Sequence, residues 1–392
     1  MSGPIGGAGE ATSPLGPAGL LLAATLVALV AAASPWGAAW VAWWSTDLGG
    51  HSVQAWINDA LMCLFFVPIG VEIRRELTVG ALRTPALAAL PVVAALGGMA
   101  APALIYVGIT GGVDAGWSVP VATDIAFATA IARLAGARVP VGLLVFLTAF
   151  AIADDLGAVV LIAARFGHGV AWPWLAASAA WLAGLVWAGR LGVRSPWAWL
   201  AAGAPLWAAV YASGLHATLA GVALGLVIPH GQPGEVSPAA SVEHALAPWV
   251  AWVVLPLFAL ANAGVPLPPG GALQAWTLTS SGVALGLVLG KPLGILAACA
   301  VAVRLGVARL PERVGWRWMV GASCLGGVGF TMSLFLSALA FPDASAAAES
   351  ARLGVLGGSA VSAAVGGGWL RWMATREVAE VEGHASDDGV GA

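Results

Sequence analysis

Charge is scarce in this chain. Of its 392 residues only 9% are Asp, Glu, Lys or Arg, and lysine occurs once, as Lys291. Soluble domains carry about a quarter of their residues as charges, so a cytosolic enzyme, a nucleic-acid binder and a disordered chain are all excluded. Cysteine is as thin. Cys63, Cys299 and Cys324 each lie inside an apolar run, with no CxxC or Cys/His spacing, which excludes a zinc site and a disulfide framework. The net charge of −3 is too small to indicate any partner. What is abundant is hydrocarbon: 60% of the residues are apolar and the mean hydropathy is +0.91. A spanning helix needs about 20 apolar residues, so a dozen fit with enough chain left for short loops. The composition reads as an all-α polytopic membrane protein.

Apolar runs of spanning length fall near 19–44, 56–77, 86–109, 117–134, 140–164, 172–189, 197–213, 214–229, 246–264, 282–303, 318–340 and 352–374, twelve in all. They make one transmembrane domain, 19–374, between a Gly/Pro-rich tail (1–18) and an acidic tail (375–392). The first run lacks the basic flank of a cleavable signal and is too long for its apolar core, so it reads as a retained span. Twelve spans put both termini on one side. If that side is the cytoplasm, thirteen of the fifteen arginines fall there, and only Arg165 and Arg352 fall on the other. Lys/Arg bias in short loops sets orientation, and thirteen against two predicts N- and C-termini inside. An error of one in the helix count would scramble this partition.

Most charges sit in loops, in tails or toward run ends; the four exceptions are Asp124 (TDIAF), Asp154 and Asp155 (FAIADDLGAVV), and Lys291 (LVLGKPLGI). A charge there costs a few kcal/mol or more and commonly marks an ion pathway. Adjacent helical residues diverge by about 100°, so one Asp can line a cavity while its neighbour points at another helix. A purely structural reading pairs Lys291 with one Asp and makes Asp124 a helix cap. It leaves an excess of buried carboxylates, three against one base. Helix interruption points to the same place. Pro120 precedes Asp124 by four residues, and Gly321, Gly326, Gly327 and Gly329 break the eleventh run. These are the middle members of spans 3–5 and 10–12. Interrupted helices at matching positions of two halves are the sequence pointer to a transporter site in an inverted repeat, here with helices 4 and 11 discontinuous.

At these residues the sequence resembles the NhaA family of bacterial sodium/proton antiporters. The matching stretches are WINDALMCLFFVPIGVEIRREL (56–77), VPVATDIAFATAIARL (119–134), RVPVGLLVFLTAFAIADDLGAVVLIA (138–163), YASGLHATLAGVALGLVIP (211–229), VEHALAPWVAWVVLPLFALANAGV (242–265), LGLVLGKPLGI (285–295) and GGVGFTMSLFL (326–336), in family order. The resemblance implies electrogenic, pH-regulated exchange of sodium or lithium for protons, in a bacterial inner membrane, without a cofactor or nucleic acid. It implies that Asp155 binds the transported cation with Asp154 beside it, that Thr123 adds an oxygen, and that Lys291 pairs with Asp154 when no cation is held. Asp124 would offset helix dipoles at the broken crossing. Glu72, Arg75, Glu76, Glu243 and His244 would form a pH-sensing entrance. A second His expected in that last segment is Ala247 here, a departure that bears on the pH threshold. A homodimer is also implied, through the 45–55 connection.

Other readings stand beside these. Glu72, Arg75 and Glu76 have the i,i+3 and i,i+4 spacing of a solvated helix end. His216 (SGLHATLAG) reads as a hydrogen-bonded interior histidine. Gly286, Gly290 and Lys291 lack the GxxxxGK[ST] spacing of a phosphate loop. The run-end tryptophans Trp43, Trp44, Trp172, Trp174, Trp197, Trp199, Trp316 and Trp318 read as interfacial anchors. Competing functions are a sodium-coupled solute symporter of the same architecture, an intramembrane aspartyl protease and a channel. No substrate-selecting motif is visible for the first, the YD and GxGD contexts of the second are absent, and Lys291 would obstruct the third. Small hard cations prefer oxygen ligands, and a proton and sodium competing for one carboxylate site suffice for exchange.

Overall fold

The computed structural model describes residues 15–387 except 113, 137, 168, 232–236, 267–270 and 343–345. The expected N-terminal tail lies, up to residue 14, outside the described residues. Among the described residues there is no strand, only an isolated antiparallel bridge between Asp47 and Ser52 in the first connection.

The helices are α1 (Leu15–Ala33), α2 (Gly37–Trp44), α3 (Val53–Thr78), α4 (Pro85–Thr110), α5 (Ile125–Leu134), α6 (Val141–Arg165), α7 (Trp172–Arg190), α8 (Pro196–Ala212), α9 (Leu219–Val227), α10 (Pro238–Asn262), α11 (Leu278–Arg304), α12 (Trp316–Gly326), α13 (Phe330–Ala340) and α14 (Ala346–Asp387). A 3-10 turn, Ala115–Val121, precedes α5, and a single turn, Ala272–Ala275, precedes α11. Three π-helical turns interrupt long helices: Ile57–Leu61 in α3, Val250–Val254 in α10 and Gly286–Gly290 in α11.

Each of the twelve apolar runs contains helix, but the count of twelve crossings is not confirmed. Eight helices among the described residues are long and apolar enough to cross a membrane, or nine with the bent pair α12 and α13 taken as one. α8 has 17 residues and α9 nine, short of a usual span. The first run divides at Pro35, whose ring cannot continue a helix: the Ser34 hydroxyl donates to the Ala31 carbonyl (2.7 Å) and accepts from the Trp36 N–H (3.1 Å) before α2 begins. At the other end α14 runs on to Asp387, past the boundary at 374 expected for the tail. Tryptophan burial also divides the expected anchors. Trp43, Trp172, Trp174, Trp197 and Trp316 are exposed, whereas Trp44, Trp199 and Trp318 belong to the core, Trp199 donating to the Val193 carbonyl (3.1 Å).

The discontinuities fall where the Gly and Pro patterns predict them. Residues 122–124 separate the 3-10 turn from α5, and 327–329 separate α12 from α13 with a bend of 43°. The helices that open the two expected repeats, α4 and α11, lie in backbone contact: a Cβ added to Gly97 or to Gly294 would overlap the carbonyl oxygen of the other. Small residues are what allow membrane helices to approach this closely, and such a reciprocal contact is what two-fold-related partners make.

Connections after alternate runs gather on common faces. Residues of 45–55, Ala115, Arg165–Gly167, Gly214–Ala217 and Phe341–Pro342 line one cavity of about 990 Å³. On the opposite face Arg75 reaches Glu243 at 3.6 Å, and Trp369 donates to the Arg317 carbonyl (2.8 Å).

Candidate functional site

The two broken stretches cross in the middle of the bundle and hold each other by backbone. The Asp124 N–H donates to the Val328 carbonyl (2.7 Å), and the Thr123 hydroxyl donates to the Gly326 carbonyl (2.7 Å). A Cβ on Gly329 would push Ser333 Oγ aside and crowd the Ala122 carbonyl. Asp124 is the N-cap of α5: Oδ1 accepts from the Phe127 N–H (3.1 Å), while Oδ2 accepts from both the backbone N–H and the hydroxyl of Thr331, in the first turn of α13. One carboxylate therefore closes the N-termini of both half-helices, where unpaired N–H groups and the helix dipole favour negative charge. Phe127 and Phe330 meet edge to face with centroids 5.0 Å apart across the same crossing.

Beside the crossing lies the buried charge cluster. Asp154 and Asp155 sit within α6, 0% and 2% exposed, and Lys291 in α11 is 0% exposed. Lys291 Nζ donates to Asp154 Oδ2 (2.7 Å) and to Thr123 Oγ1 (2.8 Å), and stands 5.7 Å from the centre of the Phe150 ring, one turn earlier on α6. Lys291 follows directly on the π-helical turn Gly286–Gly290, and π turns recur at functional positions. Asp155 takes the other direction from α6, as adjacent helical residues must. Its Oδ1 is buried without a hydrogen-bond partner among the described residues, and so is Asp154 Oδ1. The structure thus brings Thr123, Asp124, Asp154, Asp155 and Lys291 together. No three His, Cys, Asp or Glu side chains converge as a metal cluster among the described residues. A small cation here would draw on hydroxyl and carbonyl oxygens as well as the two adjacent carboxylates.

The entrance residues gather only in part. Arg75 lies 3.3 Å from Glu72 and 3.6 Å from Glu243. Glu76 turns away to accept from the Ala81 N–H (2.6 Å), and His244 is exposed. Arg74 donates to the Leu226 (2.8 Å) and Ile228 (3.0 Å) carbonyls, a cation at a helix C-terminus. His230 lies nearby; burial and the positive charges of Arg74 and Arg75 hold its imidazole below the ordinary histidine value.

Some participants had no distinct signal in the sequence. Thr331 and Ser333 belong to the crossing, but hydroxyls are unremarkable in apolar helices. Asp59 is another intramembrane acid, in the π turn of α3, with Oδ1 3.6 Å from His216 Nε2. Its place at the edge of an apolar run hid it. His216 is hydrogen-bonded as expected, its Nδ1 2.8 Å from Thr218 Oγ1.

The sequence profile of the family described as Na+/H+ antiporter 1 matches residues 12–370. The chain is 48% identical over 365 residues to the Na(+)/H(+) antiporter NhaA 2 of Pseudomonas syringae pv. syringae, covering 91% of this chain and 92% of that one. It is 47% identical over 363 residues to the Na(+)/H(+) antiporter NhaA of Vibrio cholerae (90% and 94%), and 46% over 325 residues to that of Serratia proteamaculans (82% and 84%).

Proposed function

Because the chain belongs to the Na+/H+ antiporter 1 family, we propose that it is a secondary transporter, not an enzyme, exchanging sodium for protons across a membrane through which it passes many times. The observation that carries the reading is the asymmetry of the aspartate pair: Lys291 holds Asp154, while Asp155 Oδ1 beside it is buried without a partner among the described residues.

Asp155 is the residue that alternately takes the cation and a proton. Sodium needs a deprotonated carboxylate, and a proton occupies the same oxygens, so binding of one excludes the other. Asp154 and Thr123 supply further oxygens. Both now accept from Lys291 Nζ, so a cation drawing on them must displace the ammonium. The lysine thereby occupies these oxygens while no cation does, which keeps a buried carboxylate from being left unpaired. Asp124 balances the facing N-termini of α5 and α13 and holds the crossing open to a cation without itself binding it. Access alternates between the two faces as in other inverted-repeat transporters, and lithium, a smaller hard cation, fits the same oxygen chemistry.

Thirteen arginines against two favour cytoplasmic termini, in a bacterial inner membrane. Glu72, Arg75 and Glu243 are the entrance group whose ion pairs respond to pH, with Glu76 and His244 at its margin. The 45–55 connection is the contact of a homodimer.

Purified protein in proteoliposomes with a trapped pH dye tests the function. Sodium added without any organic solute should move protons in the opposite direction at a pH between about 6 and 9. No proton movement until an organic solute is supplied would replace antiport with symport.

A further inference from the structure

The two expected repeats close on α6 and α14, and one position matches in both. Asp154 is the fourteenth residue of α6, and Ser359 is the fourteenth of α14. Counted from the caps of the two half-helices, the match repeats. Asp154 follows Asp124, the N-cap of α5, by thirty residues, and Ser359 follows Gly329, the N-cap of α13, by the same number. Ser359 is buried, and its Oγ accepts from the Phe330 N–H (3.0 Å). Phe330 is the first residue of α13, so its N–H is one of the four that a helix leaves without an internal partner.

Glycines bring α14 close enough for this contact. Gly354, Gly358, Ser362 and Gly366 recur at a spacing of four. A Cβ added to Gly354 would crowd the Ser280 carbonyl, one on Gly358 the Ala284 Cα, and one on Gly366 the Leu325 backbone nitrogen. Small residues thus seat α14 against α11 and α12, and Ser359, next to Gly358, arrives at the start of α13. Gly329, the cap residue there, has no side chain to accept the free N–H groups. Two oxygens from elsewhere do so on consecutive residues: Ser359 takes Phe330, and Asp124 takes Thr331. The Phe330 ring packs on Phe127 across the crossing, so one bond fixes both the helix start and that ring.

We infer that Ser359 is a positioning residue for the exchange, the second repeat's counterpart of Asp154. It holds the first turn of α13 where Asp124 reaches Thr331 and the Gly326 carbonyl reaches Thr123. The inference rests on the antiport reading above, and Ser359 acts through α13, not by touching the cation. Without its oxygen a buried N–H at a helix N-terminus is left unpaired, an uncompensated partial positive charge beside the site that a cation must enter. A helix terminus alters the affinity of a nearby charge by roughly two- to fivefold.

The test measures sodium-driven proton movement in proteoliposomes over a range of sodium concentrations. Ser359→Ala should raise the half-saturating sodium concentration by roughly two- to fivefold, with a smaller change in the maximal rate. Ser359→Thr keeps the oxygen and should behave as wild type. Ser362→Ala makes the same change three residues on, at a buried hydroxyl without a hydrogen-bond partner among the described residues, and should leave half-saturation unchanged. If the added methyl of Ser359→Thr prevents insertion, the two alanine variants decide the matter. Wild-type half-saturation in Ser359→Ala, or an equal rise in Ser362→Ala, overturns the positioning role while antiport stands. Absence of sodium-driven proton movement in wild type overturns the antiport reading itself, and with it this inference.

Discussion

Lys291 Nζ and Asp154 Oδ2 lie 2.7 Å apart, joining α11 to α6, and neither side chain has any exposed surface. A buried pair of this kind contributes little over apolar packing, but removing one partner leaves a charge stranded. Lys291→Ala should therefore cost about 3–5 kcal/mol of stability, read as a lowered thermal transition in detergent. Lys291→Met combined with Asp154→Asn should recover most of it. If the double variant melts no higher than the single one, the pair is not what holds the two helices.

Asp155→Asn tests the neighbouring carboxylate. It removes the ionisable group and keeps the shape, so the protein should insert and melt within a few degrees of wild type while sodium-driven proton movement disappears. Exchange at more than a tenth of the wild-type rate would move the exchanging carboxylate elsewhere.

Asp124 caps α5 and binds both donors of Thr331. Asp124→Ala loses a cap, worth about 0.5–2 kcal/mol, and strands buried donors besides. Asp124→Asn keeps an acceptor for Phe127. The alanine variant should melt below the asparagine variant, and both should exchange more slowly than wild type, because neither carries charge to offset the paired N-termini. Wild-type exchange by Asp124→Asn would remove the electrostatic part of the assignment.

His230 gives a pH dependence of definite sign. Its imidazole is held below the ordinary histidine value by burial and by Arg74 and Arg75. As pH falls through about 6.5, the unfolded chain takes up a proton that the folded chain still refuses. Stability then declines toward acid and is flat above that window. His230→Gln should accordingly show a smaller fall in melting temperature than wild type between about pH 7.5 and 5.5, a window that brackets the ordinary histidine value. An equal or larger fall would show that His230 protonates freely in the folded protein.

The four buried charges were legible in the sequence because hydrocarbon makes charge expensive: Asp124, Asp154, Asp155 and Lys291 stand out where they have no solvent. The broken helices were legible through Pro120 and the glycines before Phe330. Thr331 was not, since its meaning depends on a partner 207 residues away. Nor was the division among tryptophans: Trp197 and Trp199 are two residues apart on α8, so they point to different sides, and only the packing decides which side is lipid. Asp59 escaped because an acid at the end of an apolar run looks like a loop residue until a π turn is seen to carry it inward. Glu76 and His244 entered by resemblance alone, and the local geometry gives them other surroundings than Arg75 and Glu243.

The π-helical turn Gly286–Gly290 has a bearing on the chain's tolerance of length changes. A π turn accommodates one residue more than an α turn, and each residue turns a helix by about 100°. Deleting one of these five would let the turn close into regular winding, with the part of α11 beyond it, Lys291 included, keeping its direction relative to the part before. The same deletion from a regularly wound helix would turn everything beyond it by about 100°. The turn thus holds one residue of length to spare directly before the sole lysine.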